Sequence, residues 1–431
     1  MSTTKKTNII PIIMMFLLFA MIAFVTNLCN PMAVIVKNQF GLSNFQAQLG
    51  NAANFIAYLV MGIPSGLLLK KIGYKKTALL GIAIGFLGVF LEYVSGWESV
   101  QSFWIYLIGA FIAGFCMCML NTVVNPMLNT LGGGGKRGNQ LIQFGGACNS
   151  LSVVFVTILV GALIGNVTKD TQISVAYPAL FIALAIFAIV FIVLLLVKIP
   201  EPETNTSDEK VTTGVFKYRH FVLGVIAIFL YMGIEVGVPT YMLQYLTSAK
   251  DAATAGVAWD AGVAGTIVAM YWLCMLIGRL VGGSIGGKVS SRTQVSVLAA
   301  VCLIFVVIYM FAPADATVPF IGFQGSTGTF SSVQVPIGIL FLVLIGLCTS
   351  VMWGGIFNMA VEGLGKYTEY ASGVFMTMVF GCGVLIPLEG WIADVFHNFK
   401  ASYIIVLICA AYILFYALIG SRVSKSADSA E

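Results

Sequence analysis

The chain has 431 residues, of which 59% are hydrophobic and 9% charged, with a formal net charge of +5. A soluble domain carries roughly 25% charged residues because its surface must face water, so this composition excludes a soluble globular protein and requires lipid around much of the molecule. The surplus base lies in loops beside apolar segments, which points to anionic lipid and not to nucleic acid as its counterpart.

A helix needs about 20 apolar residues to cross a bilayer, and twelve such segments follow one another. The first six span approximately 11–36, 46–69, 77–95, 103–130, 139–165 and 176–197. The second six span approximately 220–246, 261–286, 294–312, 335–361, 371–394 and 401–421. The first of them is too long for a signal-peptide core and is expected to be a membrane helix. The one extended polar stretch, 200–219, is expected to be a cytoplasmic linker between an N-terminal six-helix bundle over 1–199 and a C-terminal bundle over 220–431. The expected fold is therefore an all-α membrane protein of twelve transmembrane helices in two pseudo-symmetric six-helix bundles.

Orientation follows from the basic residues. With both termini cytoplasmic, seventeen Lys and Arg fall on the cytoplasmic side and four (Lys37, Lys169, Lys250 and Lys400) on the other, with Arg279 inside a span. A multi-pass protein of a bacterial inner membrane, acting as a monomer, is the expectation. The halves also repeat. Gly66, Lys71 and Lys75 pair at one offset with Gly283, Lys288 and Arg292, and Gly114 of the fourth span matches Gly346 of the tenth. Two repeated halves imply alternating access around a central site.

Polar side chains stripe the first half at helical spacing. Asn27 and Asn30 lie in the first span, Asn51, Asn54 and Tyr58 in the second, Asn121, Asn125 and Asn129 in the fourth, and Gln140 and Gln143 in the fifth. Amides both donate and accept hydrogen bonds, as sugar hydroxyls require, while Tyr271, Trp272, Trp353 and Phe357 offer aromatic faces for a sugar ring. The bland alternative is that some amides bond neighbouring helices, at about 0.6–1.7 kcal/mol each. Pro31 and Pro126 remove backbone hydrogen bonds beside these amides. Glu235 stands mid-span, where an acid costs about 2.5–3.5 kcal/mol to insert. It is the candidate for coupling or direct substrate binding, with a structural ion pair to Arg279 as the alternative. Glu389 in the eleventh span is either functional or close to the outer interface, and Glu362 is expected to pair with Lys366 on the surface. The nine cysteines and two histidines form no metal-ligand spacing; no metal or cofactor is expected, and the cysteines read as packing residues. Gly132 to Gly138 lacks the order of a phosphate-binding loop, which argues against an ATP-driven pump.

Several of these residues carry a resemblance. Asn27 to Pro31, Leu42 to Ala47, Leu120 to Pro126, the run Tyr231, Gly233, Glu235 and Val236, the pair Gly278 and Arg279, and Ile356, Phe357 and Gly363 to Thr368 match landmarks of the fucose–proton symporter family of sugar permeases. The paired cytoplasmic loops resemble the signature of the major facilitator superfamily. The resemblance implies the major facilitator fold and secondary active import of a monosaccharide, with cation-coupled symport as the leading mode. Uncoupled facilitation and drug or metabolite efflux are the alternatives. Taken together with the amide stripes, aromatic faces and mid-span acid, the resemblance gives as expected substrate contacts Asn27, Asn30, Asn121, Asn125, Gln143, Glu235, Trp272 and Trp353, with coupling through Glu235, H+ or Na+ as partner, and no enzymatic activity. Two departures stand out. Asn30 and Asn121 occupy positions where the family has acids that serve sugar transport and proton coupling. In the fifth span, Asn149 and Ser150 come three residues later than the family's Asn-Ser pair.

Overall fold

The computed structural model describes residues 9–131, 135–164, 171–199, 213–250, 252–285, 289–313, 315–324, 327–364 and 368–423. The polar stretch 200–212, the glycines 132–134 and Lys366 lie outside the described residues. So do the side chains of Asn30, Asn125, Asn129, Gln140 and Gln143.

The first half comprises α1 (Ile9–Phe40), a single turn α2 (Asn44–Ala47), α3 (Leu49–Ile72), α4 (Tyr74–Ser95), α5 (Phe103–Leu131), α6 (Gly135–Ile164) and α7 (Tyr177–Leu196). The second comprises α8 (Arg219–Thr247), α9 (Ala261–Ile285), α10 (Ser291–Phe311), α11 (Ile337–Thr349), α12 (Met352–Val361), α13 (Thr368–Thr377), α14 (Gly381–Phe396) and α15 (Phe399–Phe415). Among the described residues eleven segments are long and apolar enough to cross a membrane, with α11–α12 counted as one crossing and α14 completing another. The remaining expected crossing is α3. Its 24 residues reach about 36 Å at 1.5 Å per residue, enough to cross.

Local chemistry sets the boundaries. Ser43 and Gln46 form a reciprocal capping box at α2, with hydrogen bonds of 3.2 and 3.1 Å. Asp260 Oδ1 accepts from the amides of Gly262 and Val263 at the start of α9, and Ser290 and Asn398 cap α10 and α15. His397 adopts φ +49° and ends α14. The tenth expected span breaks between α11 and α12. There the Thr349 hydroxyl bonds the carbonyls of Ile345 and Gly346, and the Ser350 hydroxyl bonds that of Leu347. Such back-bonding competes with the helical ladder and bends it. The loop before α11 holds an antiparallel hairpin that the apolar pattern does not announce, β1 (Thr317–Gln324) and β2 (Thr329–Pro336), paired from Thr317–Pro336 to Gln324–Thr329. It docks on α9, where the Phe323 amide donates to Thr266 Oγ1 at 3.1 Å.

Each half packs on itself, and the halves meet chiefly along two seams, α6 on α9 and α3 on α14. The internal repetition has a physical content. The Lys75 ammonium donates to the carbonyls of Leu195 and Val197 at the end of α7. Its counterpart Arg292 donates to the carbonyl of Ser421 just after the last crossing. Both cations satisfy carbonyls left open where the sixth crossing of a half ends. Gly114 presses α5 onto the backbone of α3 at Asn54, and Gly346 presses α11 onto the backbone of α9 at Tyr271; at either position a Cβ would overlap a carbonyl oxygen. Overpacking costs about 1–3 kcal/mol or more where backbone cannot give way. Gly114→Leu and Gly346→Leu are therefore each expected to lower the thermal unfolding midpoint in detergent, and equal midpoints to wild type would refute the shared close approach.

Candidate functional site

Pro239 has no amide hydrogen, so the helical ladder of α8 leaves the Glu235 carbonyl without its usual donor. The Tyr271 hydroxyl of α9 supplies one at 3.0 Å and lies 3.3 Å from Thr349 Oγ1 of α11. Tyr231, one turn before Glu235, donates to the Thr349 carbonyl at 3.3 Å. Three helices of the second half are thus joined around the backbone that presents Glu235.

The Glu235 carboxylate meets Arg279 of α9, with Nη2 3.2 Å from Oε1, and the two side chains keep 13% and 16% exposure. The guanidinium also crosses to the first half. Its Nη1 donates to the Gly146 carbonyl at 2.9 Å and to Ser150 Oγ at 2.8 Å on α6. An added Cβ at 146 would stand 3.7 Å from Nη1, an ordinary van der Waals contact, so the approach does not itself require the glycine. Asn149 Nδ2 donates to the Phe19 carbonyl of α1 at 3.2 Å. The displaced Asn149 and Ser150 therefore both serve: one ties α6 to α1, the other receives the arginine. A planar guanidinium with five donors in a fixed fork can hold a carboxylate and two oxygens at once, so one side chain links the two halves at a partly accessible ion pair.

The expected site residues are distributed as follows. Asn121 Nδ2 of α5 donates to the Tyr58 hydroxyl of α3 at 2.9 Å, uniting two of the amide stripes. Asn27 turns inward to its own helix and donates to the Ala23 carbonyl at 2.8 Å. Asn51 donates to Gln48 at 2.6 Å. Trp353 of α12 lies between Tyr231 and Phe375, at ring centroid distances of 6.2 and 5.6 Å. Trp272 is buried edge-on to Tyr271 at 5.2 Å, and its indole nitrogen has no hydrogen-bond partner among the described residues. Trp353 thus shares the Glu235 neighbourhood through Tyr231, and Trp272 through Tyr271, while Asn121 lies across in the first half.

Two features escaped the sequence. The first is a tie between the halves at the end where α1 finishes, which the basic residues predict to be extracellular. Asp394 of α14 accepts from the Asn44 amide at 3.1 Å, from Asn44 Nδ2 at 2.6 Å and from the Phe45 amide at 2.9 Å. Lys37 Nζ donates to Asn44 Oδ1 at 2.6 Å, and Asn44 Nδ2 also reaches Thr254 Oγ1 at 3.2 Å. Asp394 is 350 residues from Asn44, and no local pattern marks the pair. The second is Glu92, a buried carboxyl on α4 against Gly109 of α5, noticeable in sequence only as an acid inside an apolar run.

If the Glu235–Arg279 pair is energetically coupled in its low-dielectric setting, a double-mutant cycle of Glu235→Gln and Arg279→Gln will give an interaction above the ~0.2–1 kcal/mol typical of exposed pairs. Additive shifts in thermal stability would show that the two side chains are neighbours without coupling.

Comparison with known proteins adds the context. The family model of the Major Facilitator Superfamily matches residues 15–387. A glucose/galactose transporter of Brucella abortus is 29% identical over 414 residues, covering 94% of this chain and 93% of that one. The L-fucose-proton symporter of Escherichia coli is 26% identical over 451 residues, covering 98% and 95%. The solved structure of a Major Facilitator Superfamily transporter, FucP, in the outward conformation superposes with a TM-score of 0.68 at 23% identity, covering 97% of this chain and 100% of that one. A D-xylose-proton symporter gives a TM-score of 0.69 at 13% identity, covering 96% and 98%. With the matched family model spanning most of its crossings, the chain belongs to the Major Facilitator Superfamily.

Proposed function

We propose that the protein is a secondary active transporter that imports a monosaccharide by alternating access, in symport with H+. Full-length relatives are named for glucose and galactose or for fucose and protons, and the Glu235–Arg279 pair at the seam between the halves carries the mechanistic reading.

The sugar lies between the halves. Asn27, Asn30, Asn121, Asn125 and Gln143 supply amides from the first half, while Glu235, Trp272 and Trp353 supply a carboxylate and aromatic faces from the second. Glu235 is the coupling residue on the substrate side. Sugar hydroxyls compete with Arg279 for its carboxylate, and Arg279 in turn holds Gly146 and Ser150 of α6. Binding thus alters a side chain that spans the α6–α9 seam. Both termini are cytoplasmic, so the Asp394–Asn44 tie closes the outer face and a state open to the cytoplasm is its complement. Asn30 and Asn121 replace the family's acids, so a proton needs another acceptor.

Labelled-sugar uptake into proteoliposomes with imposed H+ or Na+ gradients tests the reading. With glucose, galactose and fucose as probes, accumulation is expected under an inward H+ gradient. Accumulation on Na+ alone would replace the coupling ion, and equilibration without accumulation would make the protein a facilitator. No movement of any sugar, with extrusion of an apolar drug, would sink the proposal. A charge-assisted hydrogen bond contributes about 1.5–3 kcal/mol, so Glu235→Gln is expected to lower sugar uptake by about ten-fold or more.

The outer tie has its own test. Asp394→Ala removes all three acceptor contacts and is expected to speed modification, by an impermeant thiol reagent from outside, of a cysteine placed at Ala52, which is buried beside α14. An unchanged rate would deny Asp394 a part in closing that face.

A further inference from the structure

Glu389 of α14 is fully buried, at 0% exposure, and neither carboxyl oxygen has a hydrogen-bond partner among the described residues. The groups around it have committed their donors elsewhere. Tyr241 of α8 donates to the Ile386 carbonyl at 2.8 Å. Tyr403 of α15 donates to the Val238 carbonyl at 3.2 Å, and the Cys382 thiol to the Met232 carbonyl at 3.3 Å. With Cys409 of α15, these are, among the described residues, the titratable groups that face Glu389 from α8, α15 and its own helix, and none of them is a cation. Asp394, the next acid along α14, is occupied by Asn44 and Phe45. The carboxyl rests on Gly237 of α8, where an added Cβ would stand 2.5 Å from Oε1.

An ionised carboxylate without donors or a counter-ion is far costlier to bury than the neutral acid. Glu389 therefore holds its proton while α8 and α14 are pressed together. Both helices carry a proline beside that contact. Pro239 follows Gly237 by two residues on α8, and Pro387 precedes Glu389 by two on α14. Each removes a ladder hydrogen bond from its helix; on α8 the freed Glu235 carbonyl is held by Tyr271 of α9 instead. The next residue, Gly390, lies between α8 and the first half, where an added Cβ would stand 2.5 Å from the Tyr241 hydroxyl and 3.1 Å from the Asn44 carbonyl. Any shift of α14 away from α8 is thus felt at the inter-half contact beside Asp394. Glu92 has no such place, since it packs between α4 and α5 inside one half.

We propose that Glu389 is the proton-binding residue of the transport cycle, protonated in the dry α8–α14 seam and deprotonated when that seam opens to water. This rests on the symport reading above. The step is a proton transfer alone: an O–H bond forms from water on one side and breaks to water on the other. Glu235, already engaged by Arg279, responds to the sugar, while Glu389 holds the ion. Cys382 lies within electrostatic reach of both carboxyls.

The test compares two assays in proteoliposomes with glucose, galactose and fucose as probes: accumulation on an imposed pH gradient, and counterflow, which needs no net proton movement. With one proton per sugar, a one-unit gradient supports up to about ten-fold accumulation. Glu389→Gln is expected to lower the ratio of accumulation to counterflow to that of passive equilibration and to abolish sugar-induced proton uptake. Glu389→Asp, which keeps an ionisable group, is expected to restore accumulation with a shifted pH profile. A Gln variant that still accumulates sugar on the gradient overturns the proposal. Wild-type protein that exchanges sugar but never accumulates it on a pH gradient sinks the H+ symport reading first, and this proposal with it. Should the Gln variant fail to insert, wild-type protein decides the matter with dicyclohexylcarbodiimide, which adds to a protonated carboxyl in apolar surroundings. Modification of Glu389 that fades as pH rises supports the assignment, and absence of modification at every pH overturns it.

Discussion

A polar group at mid-depth in a bilayer has no water to turn to, so every such group must be satisfied from within the protein. In this chain that constraint shapes the interior more visibly than hydrophobic packing does, since lipid is as apolar as any side chain. The Glu235 carbonyl, freed by Pro239, is claimed by Tyr271. The ends of α7 and of the final crossing are claimed by Lys75 and Arg292. Asn27 and Asn149 spend their amides on the carbonyls of Ala23 and Phe19. Except for Asn27, which bonds within its own helix, each satisfied group fixes a helix against a neighbour or closes a helix end.

The repetition of the halves reads as one solution used twice. Gly114 and Gly346 do the same work on different pairs of helices, and Lys75 and Arg292 close equivalent helix ends. The functional groups break the symmetry. The ion pair belongs to the second half, the amide stripes to the first, and Arg279 joins the two through Gly146 and Ser150. In the proposed reading, a symmetric scaffold with an asymmetric lining lets one half hold substrate hydroxyls while the other registers charge.

The sequence carried the crossings well because about 20 apolar residues in a row have few other uses. Observed helices begin and end within a few residues of the expected segments, and the Glu235–Arg279 alternative was visible from depth alone. What stayed hidden depends on partners distant in sequence. Asp394 and Asn44 look like ordinary loop-end polar residues until the fold brings them together. The hairpin β1–β2 sits in a stretch too polar for a crossing and too short to announce a domain. The break at Thr349 arises from side-chain hydroxyls competing with the ladder, a choice that hydropathy does not register. Asn27 shares a face with Asn30, yet its side chain reaches back to its own helix; helical spacing assigns a face and not a rotamer.

The two acids of the second half show how far burial alone is from function. Glu235 keeps an arginine partner and partial exposure, and an ion pair of that kind can respond to a ligand because hydroxyls substitute for part of its hydrogen bonding. Glu389 has neither a hydrogen-bond partner among the described residues nor exposure, which is why the proposal above gives it a proton. A group satisfied by a side chain reports on what displaces that side chain; a group satisfied by a proton reports on access to water. In the reading proposed above, the first sits where the halves share an arginine and the second against a glycine near two prolines, so recognition and ion binding fall to different acids of a single pair of helices, α8 and α14.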